Sequence, residues 1–224
     1  MSNNSRTGSN EVIKKTPIKQ IVLIWAGVLG PIIYILNVML GGIIMPNYSH
    51  IENAVSELTQ RGAPNIVVLS ALFVLSAVLI LLFGIAIMMR FQSQSRPVYA
   101  GGVMIVVYGI FAALLASIFP QDPIGGESTL PGTIHLVLAG LAALVIMGLI
   151  LLIGFGMDHR TGWHHFKLYS IITVILVFVF GASTPILIMK EIELLGLFER
   201  ITQLAYLQWF VVFAAYLLKP DPMQ

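Results

Sequence analysis

Five ionisable residues, spread over four short stretches of this sequence, are the best candidates for chemistry: Glu57, Asp122, His135, Glu199 and Arg200. Each of them lies at or near an end of a long apolar segment. A histidine at the border of such a segment can transfer protons, because its ordinary pKa lies near neutral pH. A histidine at this position can equally be a hydrogen-bonded structural residue, and the sequence leaves both interpretations open.

The segments that must position these residues are six apolar runs, each long enough to form a membrane-spanning helix. About 20 apolar residues are needed to cross the hydrocarbon core as a helix. None of the six runs contains an acidic, basic or histidine residue. Since lipid offers the backbone no hydrogen-bond partners, each run is predicted to be a helix. The runs cover residues 21–44, 66–89, 98–119, 136–157, 168–189 and 201–218.

The composition agrees with this assignment. Hydrophobic residues make up 58% of the chain and charged residues only 10%, whereas a soluble domain has about 25% charged residues. We therefore predict an all-α polytopic membrane protein with a disordered cytoplasmic tail (1–19), a membrane domain of six helices (20–219) and a short cytoplasmic tail (220–224). The chain has no cysteine and a net charge of only +2, so neither thiolate chemistry nor nucleic-acid binding is indicated. We expect no cofactor and no metal site.

The distribution of basic residues predicts the orientation of the helices. Short cytoplasmic loops carry an excess of Lys and Arg. Nine of the 12 basic residues lie on the side of the two termini, and only Arg61, Lys190 and Arg200 lie on the other side. We therefore predict that both termini are cytoplasmic and that residues 45–65, 120–135 and 190–200 face outward.

The first outward segment has the pattern of a short amphipathic helix. Ser49 and Glu52 have the spacing of a capping box, and Ile51, Val55 and Leu58 share one helical face. Gly62 then gives a stop signal. The sequence thus predicts a short interfacial helix over residues 49–61.

The outward ends of the helices are predicted to share one polar site. Arg200 opens the last helix, where it opposes both the positive-inside trend and the helix dipole. A carboxylate should compensate it, and Asp122 or Glu57 is the natural partner, with His135 close by. Small residues at helical spacing, such as Gly109 with Ala113 and Ala139 with Ala143, predict close helix packing in the third and fourth runs.

Several of these motifs occur together, and in this order, in a known family. They are Pro46 with Tyr48, residues 56–58 (SEL), residues 119–123 (FPQDP), Gly132 with His135, and residues 196–200 (GLFER). The chain resembles the prokaryotic membrane proteins of the domain-of-unknown-function 998 family. The resemblance implies a multi-pass bundle of six helices in the plasma (cell) membrane, and it implies no activity.

Three functions remain open at this point. The first is a binding or accessory protein whose outward polar site holds a lipid headgroup or a membrane-protein partner. The second is an outer-leaflet enzyme that modifies a lipid or isoprenoid, with His135 as the acid or base and Asp122 or Glu57 orienting it. The third is a transporter, which the apolar helix cores disfavour.

Overall fold

Six long α-helices and one short 3₁₀ helix form the described architecture in this computed structural model. The structure describes residues 17–123, 125–158, 163 and 165–219. Each helix is long and apolar enough to cross a membrane, which confirms the predicted all-α bundle. Residues 1–16 and 220–224 of the predicted tails lie outside the described residues, whereas Pro17 precedes the first helix and Ile18 and Lys19 already belong to it. The helices are α1 (Ile18–Ile44), α2 (Ile66–Phe91), α3 (Arg96–Ser117), α4 (Leu130–Met157), α5 (Phe166–Met189) and α6 (Leu195–Leu218).

The helices are arranged as a ring in chain order. Each helix packs against the next one along the chain, and α6 returns to pack against α1. Because successive helices run in opposite directions, three connections lie at the same end of the bundle. We call them loop one (45–65), loop three (118–129) and loop five (190–194). This end of the bundle holds all five candidate residues.

Helix α6 is the centre of the aromatic core. Trp209, Phe210 and Phe213 are completely buried. Phe83 of α2 and Phe166 of α5 pack against them with ring centroids 5.2–6.3 Å apart within this group. Helices in lipid gain no hydrophobic driving force from one another, so this close van der Waals packing is what fixes α6 in the bundle.

Small residues allow α2 and α3 to approach closely. A Cβ atom on Gly84 would lie 2.9 Å from the Gly102 carbonyl oxygen, and one on Gly109 would lie 3.0 Å from the Ala77 carbonyl oxygen. The close packing predicted around Gly109 is therefore confirmed. In α4 the prediction is wrong, because Ala139 is exposed on the surface of the bundle.

The predicted interfacial helix is shorter than expected. Ser49 Oγ does accept hydrogen bonds from the Ile51 and Glu52 amides, both at 3.3 Å, but only one turn follows. Ala54 is extended (φ −63°, ψ 152°), and a short 3₁₀ helix then runs from Val55 to Thr59. The predicted apolar face is divided in consequence, since Val55 and Leu58 are buried while Ile51 is 53% exposed.

A candidate lipid site between α1 and α6

Arg200 lies near the start of α6 and binds the first half of loop one. Its guanidinium donates to four acceptors, all of which are neutral. They are Nδ1 of His50 at 3.2 Å, the carbonyl oxygens of Asn53 at 2.9 Å and Gly196 at 2.8 Å, and the Tyr48 hydroxyl at 2.6 Å. The guanidinium carbon also lies 5.4 Å from the centroid of the Tyr48 ring. A single side chain therefore connects α6 to three loop-one residues.

The two aromatic partners of Arg200, Tyr48 and His50, have pKa shifts that favour the protonation states needed for these hydrogen bonds. Burial raises the pKa of Tyr48 to about 12, although the Arg200 charge opposes that shift. The Tyr48 hydroxyl therefore stays protonated and donates to the Ala54 carbonyl at 2.8 Å. Partial burial, and then the Arg200 charge, lower the pKa of His50. His50 is thus neutral at pH 7, and its Nδ1 can accept the hydrogen bond from Arg200.

Glu199 binds the backbone of loop one beside Arg200. Its Oε2 accepts the Val55 N–H at 2.8 Å, and its Oε1 accepts an N–H of the Gln203 amide at 3.0 Å. The Glu199 carboxylate is therefore a cap for the 3₁₀ helix that begins at Val55. It is supplied by a residue 144 positions further along the chain.

Glu57 stabilises the same segment from within loop one. Its Oε1 accepts the Ala54 N–H at 2.6 Å and its Oε2 accepts the side-chain N–H of Asn53 at 2.9 Å. The residue is only 7% exposed. Glu57 and Glu199 thus bind consecutive backbone N–H groups, at Ala54 and Val55, and hold the start of the 3₁₀ helix between them.

The backbone of loop one also caps α6 directly. The Gly196 and Leu197 amides at the start of α6 donate to the Glu52 and Ile51 carbonyl oxygens, at 3.2 and 2.9 Å. Such first-turn amides have no partner within their own helix. A Cβ atom at position 196 would lie 2.3 Å from the Asn53 carbonyl oxygen, so only glycine permits this approach.

Asp122 belongs to a second cluster, at the other end of loop one. It accepts the Thr129 N–H and hydroxyl, both at 2.7 Å, and forms an ion pair with Arg61 at 2.9 Å. The Thr129 backbone N–H, then the Thr129 hydroxyl and the Arg61 charge, hold the pKa of Asp122 below its ordinary value. A Cβ atom at Gly132 would lie 2.1 Å from the Asp122 carboxylate, so the glycine makes room for this cluster at the start of α4.

His135 connects loop three to α4. Its Nδ1 lies 2.7 Å from the Phe119 carbonyl oxygen, and the residue is only 7% exposed. Because a carbonyl can only accept, Nδ1 carries the proton in this contact. The second ring nitrogen is then left as an acceptor, and the histidine connects the start of loop three to the second turn of α4.

The structure brings Glu57, Glu199 and Arg200 together and places Asp122 and His135 elsewhere. The predicted pairing of Arg200 with Asp122 or Glu57 is wrong: among the described residues, Arg200 forms no ion pair, and Asp122 pairs with Arg61. The physical reason is that loop one supplies Arg200 with carbonyl, imidazole and phenol acceptors, which satisfy the guanidinium without a carboxylate.

Sequence reasoning missed four residues around Arg200: Tyr48, His50, Asn53 and Gln203. Tyr48 was part of a family motif, but its role depends on a contact 152 positions away. No pattern in the sequence distinguishes Asn53 or His50 from other polar loop residues. Gln203 lies one turn below Glu199 in α6, and only that helical spacing could have indicated their hydrogen bond.

A groove of about 300 Å³ runs along the membrane side of this cluster, between α1 and α6. Polar residues occupy one end of it, at His50, Arg200 and Gln203. Leu207 lies seven positions after Arg200 in α6, which is about 10 Å along the helix. The mouth of the groove lies on the surface of the bundle, where Met39 is 55% and Leu204 is 49% exposed. The remaining walls are formed by Tyr34, Ile35, Val38 and Leu207.

The groove therefore has mostly apolar walls, with Arg200 at one end. The described ranges contain no group of three or more His, Cys, Asp or Glu residues that could hold a metal ion. Two further histidines, His159 and His164 between α4 and α5, lie outside the described residues.

Comparison with known proteins gives one match. The family model described as "Protein of unknown function (DUF998)" matches residues 28–216. No curated protein and no solved structure matches the chain. The match covers α2 to α5 completely, α1 from residue 28 onward and nearly all of α6, so it includes the parts of both helices that form the groove.

Proposed function

The chain belongs to the DUF998 family of proteins of unknown function, and we propose that it binds a membrane lipid in the groove between α1 and α6. The single observation that carries the proposal is the position of Arg200, at the polar end of an otherwise apolar groove that opens on the lipid-facing surface. The headgroup lies against Arg200, and the chain of the lipid follows α6 towards Leu207.

Orientation and location form part of this proposal. The excess of basic residues on the side of the termini supports a multi-pass protein in the plasma membrane with both ends in the cytoplasm. Loop one then faces outward, and the groove takes its lipid from the outer leaflet. In this orientation the outward side carries only three basic residues, Arg61, Lys190 and Arg200. Few other basic side chains therefore compete with Arg200 for the headgroup.

The alternatives have less support from the described residues. An enzyme that uses His135 as its acid or base would need this residue in the groove, but His135 binds the Phe119 carbonyl and does not line the groove. A transporter would need polar or charged groups along a path through the bundle, and the helix cores are apolar. A membrane-protein partner in place of a lipid remains an outcome of the test below.

The test is to block the groove and measure the lipid that copurifies with the protein. Leu204→Trp places a large side chain at the mouth, whereas Leu144→Trp makes the same change on α4, where Leu144 is 62% exposed to the outside. We expect Leu204→Trp to lose most of the bound lipid, as measured by mass spectrometry after purification in a mild detergent. Leu144→Trp should keep the wild-type amount.

Equal lipid content in the two variants would contradict the proposal. If Leu204→Trp instead keeps its lipid but loses a copurifying membrane protein, the groove is a site for that partner.

A further inference from the structure

Two polar side chains at the end of the groove have unused hydrogen-bonding atoms. A guanidinium has five N–H donors, and four of those of Arg200 are bonded to described residues. One N–H on Nη2 therefore remains. The side-chain N–H of Gln203 donates to Oε1 of Glu199 at 3.0 Å. Gln203 Oε1 is then an acceptor with no partner in the described part of the chain.

The charges around these two atoms restrict the headgroup further. Arg200 has no ion pair among the residues that the structure describes, so its charge can attract an anion. One uncompensated charge and one remaining N–H match a singly charged phosphodiester better than a doubly charged phosphomonoester, whose second charge would meet no other arginine or lysine among the described residues that line the groove.

The size of the groove shows how much of a lipid it can hold. Its volume of about 300 Å³ is at the lower limit of ligand pockets, which is about 300 Å³. It therefore accommodates the first part of one chain, and the rest of the lipid stays in the bilayer beyond the exposed mouth at Met39 and Leu204.

We propose that the ligand is a phosphodiester lipid whose headgroup also carries an O–H or N–H donor. The phosphate oxygen binds the free N–H of Arg200, and the headgroup donor binds Oε1 of Gln203. This inference rests on the proposed function, since it assigns a ligand class to the same groove. Phosphatidylglycerol and phosphatidylethanolamine fit it, whereas phosphatidylcholine lacks the donor and phosphatidic acid is a phosphomonoester.

The experiment compares these four lipids on the full-length protein, delipidated in detergent, by native mass spectrometry. We expect phosphatidylglycerol and phosphatidylethanolamine to bind about three- to tenfold more tightly than phosphatidylcholine, the effect of one hydrogen bond to a neutral amide oxygen, and also more tightly than phosphatidic acid. Gln203→Leu should make phosphatidylglycerol and phosphatidylcholine bind equally. Arg200→Lys should weaken all phosphodiester binding about tenfold, while Arg61→Gln, a change to an exposed arginine at the same end, should not.

Equal binding of the four lipids to wild type would overturn the inference, as would an unchanged preference in Gln203→Leu. Gln203→Leu is the decisive variant. The only described side-chain hydrogen bond of Gln203 is to Glu199, one turn away, so its removal breaks no direct contact with loop one. Chain-free glycerophosphoglycerol should compete poorly; if it competes as well as the lipid, the ligand is a soluble phosphodiester. If Leu204→Trp loses its lipid but wild type does not prefer the two expected lipids, only this inference is refuted. If Leu204→Trp keeps its lipid, the proposed function is refuted.

Discussion

Arg200 and Arg61 lie at the same end of the bundle, but they make very different numbers of hydrogen bonds to the surrounding structure. Arg200 donates to four acceptors in loop one and α6. Arg61 is 52% exposed and makes one ion pair, with Asp122. Exposed pairs of this kind contribute about 0–1 kcal/mol. Loss of Arg200, in contrast, leaves the partly buried Asn53 carbonyl and Tyr48 hydroxyl without this donor.

We therefore predict that Arg200→Ala destabilises the protein more than Arg61→Ala does. The expected loss is about 2 kcal/mol or more for Arg200→Ala, because each buried acceptor left unsatisfied costs about 1–3 kcal/mol. Arg61→Ala should cost no more than about 1 kcal/mol. Thermal unfolding of the two purified variants in the same detergent measures the difference, and equal melting temperatures would show that loop one does not depend on Arg200.

The candidate site could be predicted only in part at the level of single residues. The sequence indicated that Arg200 needs compensation at its helix start, because an arginine at that position is unfavourable on its own. It could not indicate which groups provide it, since Tyr48 and Asn53 reach Arg200 only after loop one has folded back over α6. Asp122 seemed the natural partner on charge alone, but Thr129 and Arg61 lie closer to it.

At the scale of elements, the contact between α2 and α3 gives a direct test of the packing. A Cβ atom at Gly84 would lie 2.9 Å from both the Gly102 carbonyl oxygen and the Val106 amide nitrogen, and these backbone atoms cannot move aside cheaply. Gly140 in α4 has no atom within 4 Å of its Cβ position. We predict that Gly84→Ala lowers stability by about 1–3 kcal/mol.

Gly140→Ala is the matched control and should leave stability unchanged or slightly increased, because alanine is the better helix former. Both variants can be compared by thermal unfolding in detergent. A loss in Gly140→Ala as large as that in Gly84→Ala would mean that the α4 surface is packed against something other than lipid.

The number and approximate positions of the six helices could be predicted from the sequence, but the residues at which they begin and end could not. Apolar length determines where a chain crosses a membrane, so all six helices were found. Helix α4 nevertheless begins at Leu130, six residues before the apolar run, because Thr129 caps it by accepting the Gly132 N–H. Loop one was predicted as one helix because its apolar spacing is helical, but Glu57 and Glu199 bind the Ala54 and Val55 amides and break the segment there.

At the scale of the whole molecule, the orientation in the membrane can be tested because the chain has no cysteine. A single cysteine introduced at Gly126, in loop three, should react with a membrane-impermeant reagent added to intact cells. A cysteine at Gln92, between α2 and α3, should react only after the membrane is opened. Labelling of Gln92→Cys in intact cells would reverse the predicted orientation and place the groove in the inner leaflet.

The contact between loop one and α6 has a consequence for biosynthesis. The chain is made from its N-terminus at about 5–20 residues per second, and Val55 is separated from Glu199 by 144 residues. The Glu199 carboxylate that caps loop one is therefore synthesised roughly 7–29 s after loop one itself. During this interval α1 has no α6 beside it. The last helix to be inserted is thus the one that completes the fold of the first loop.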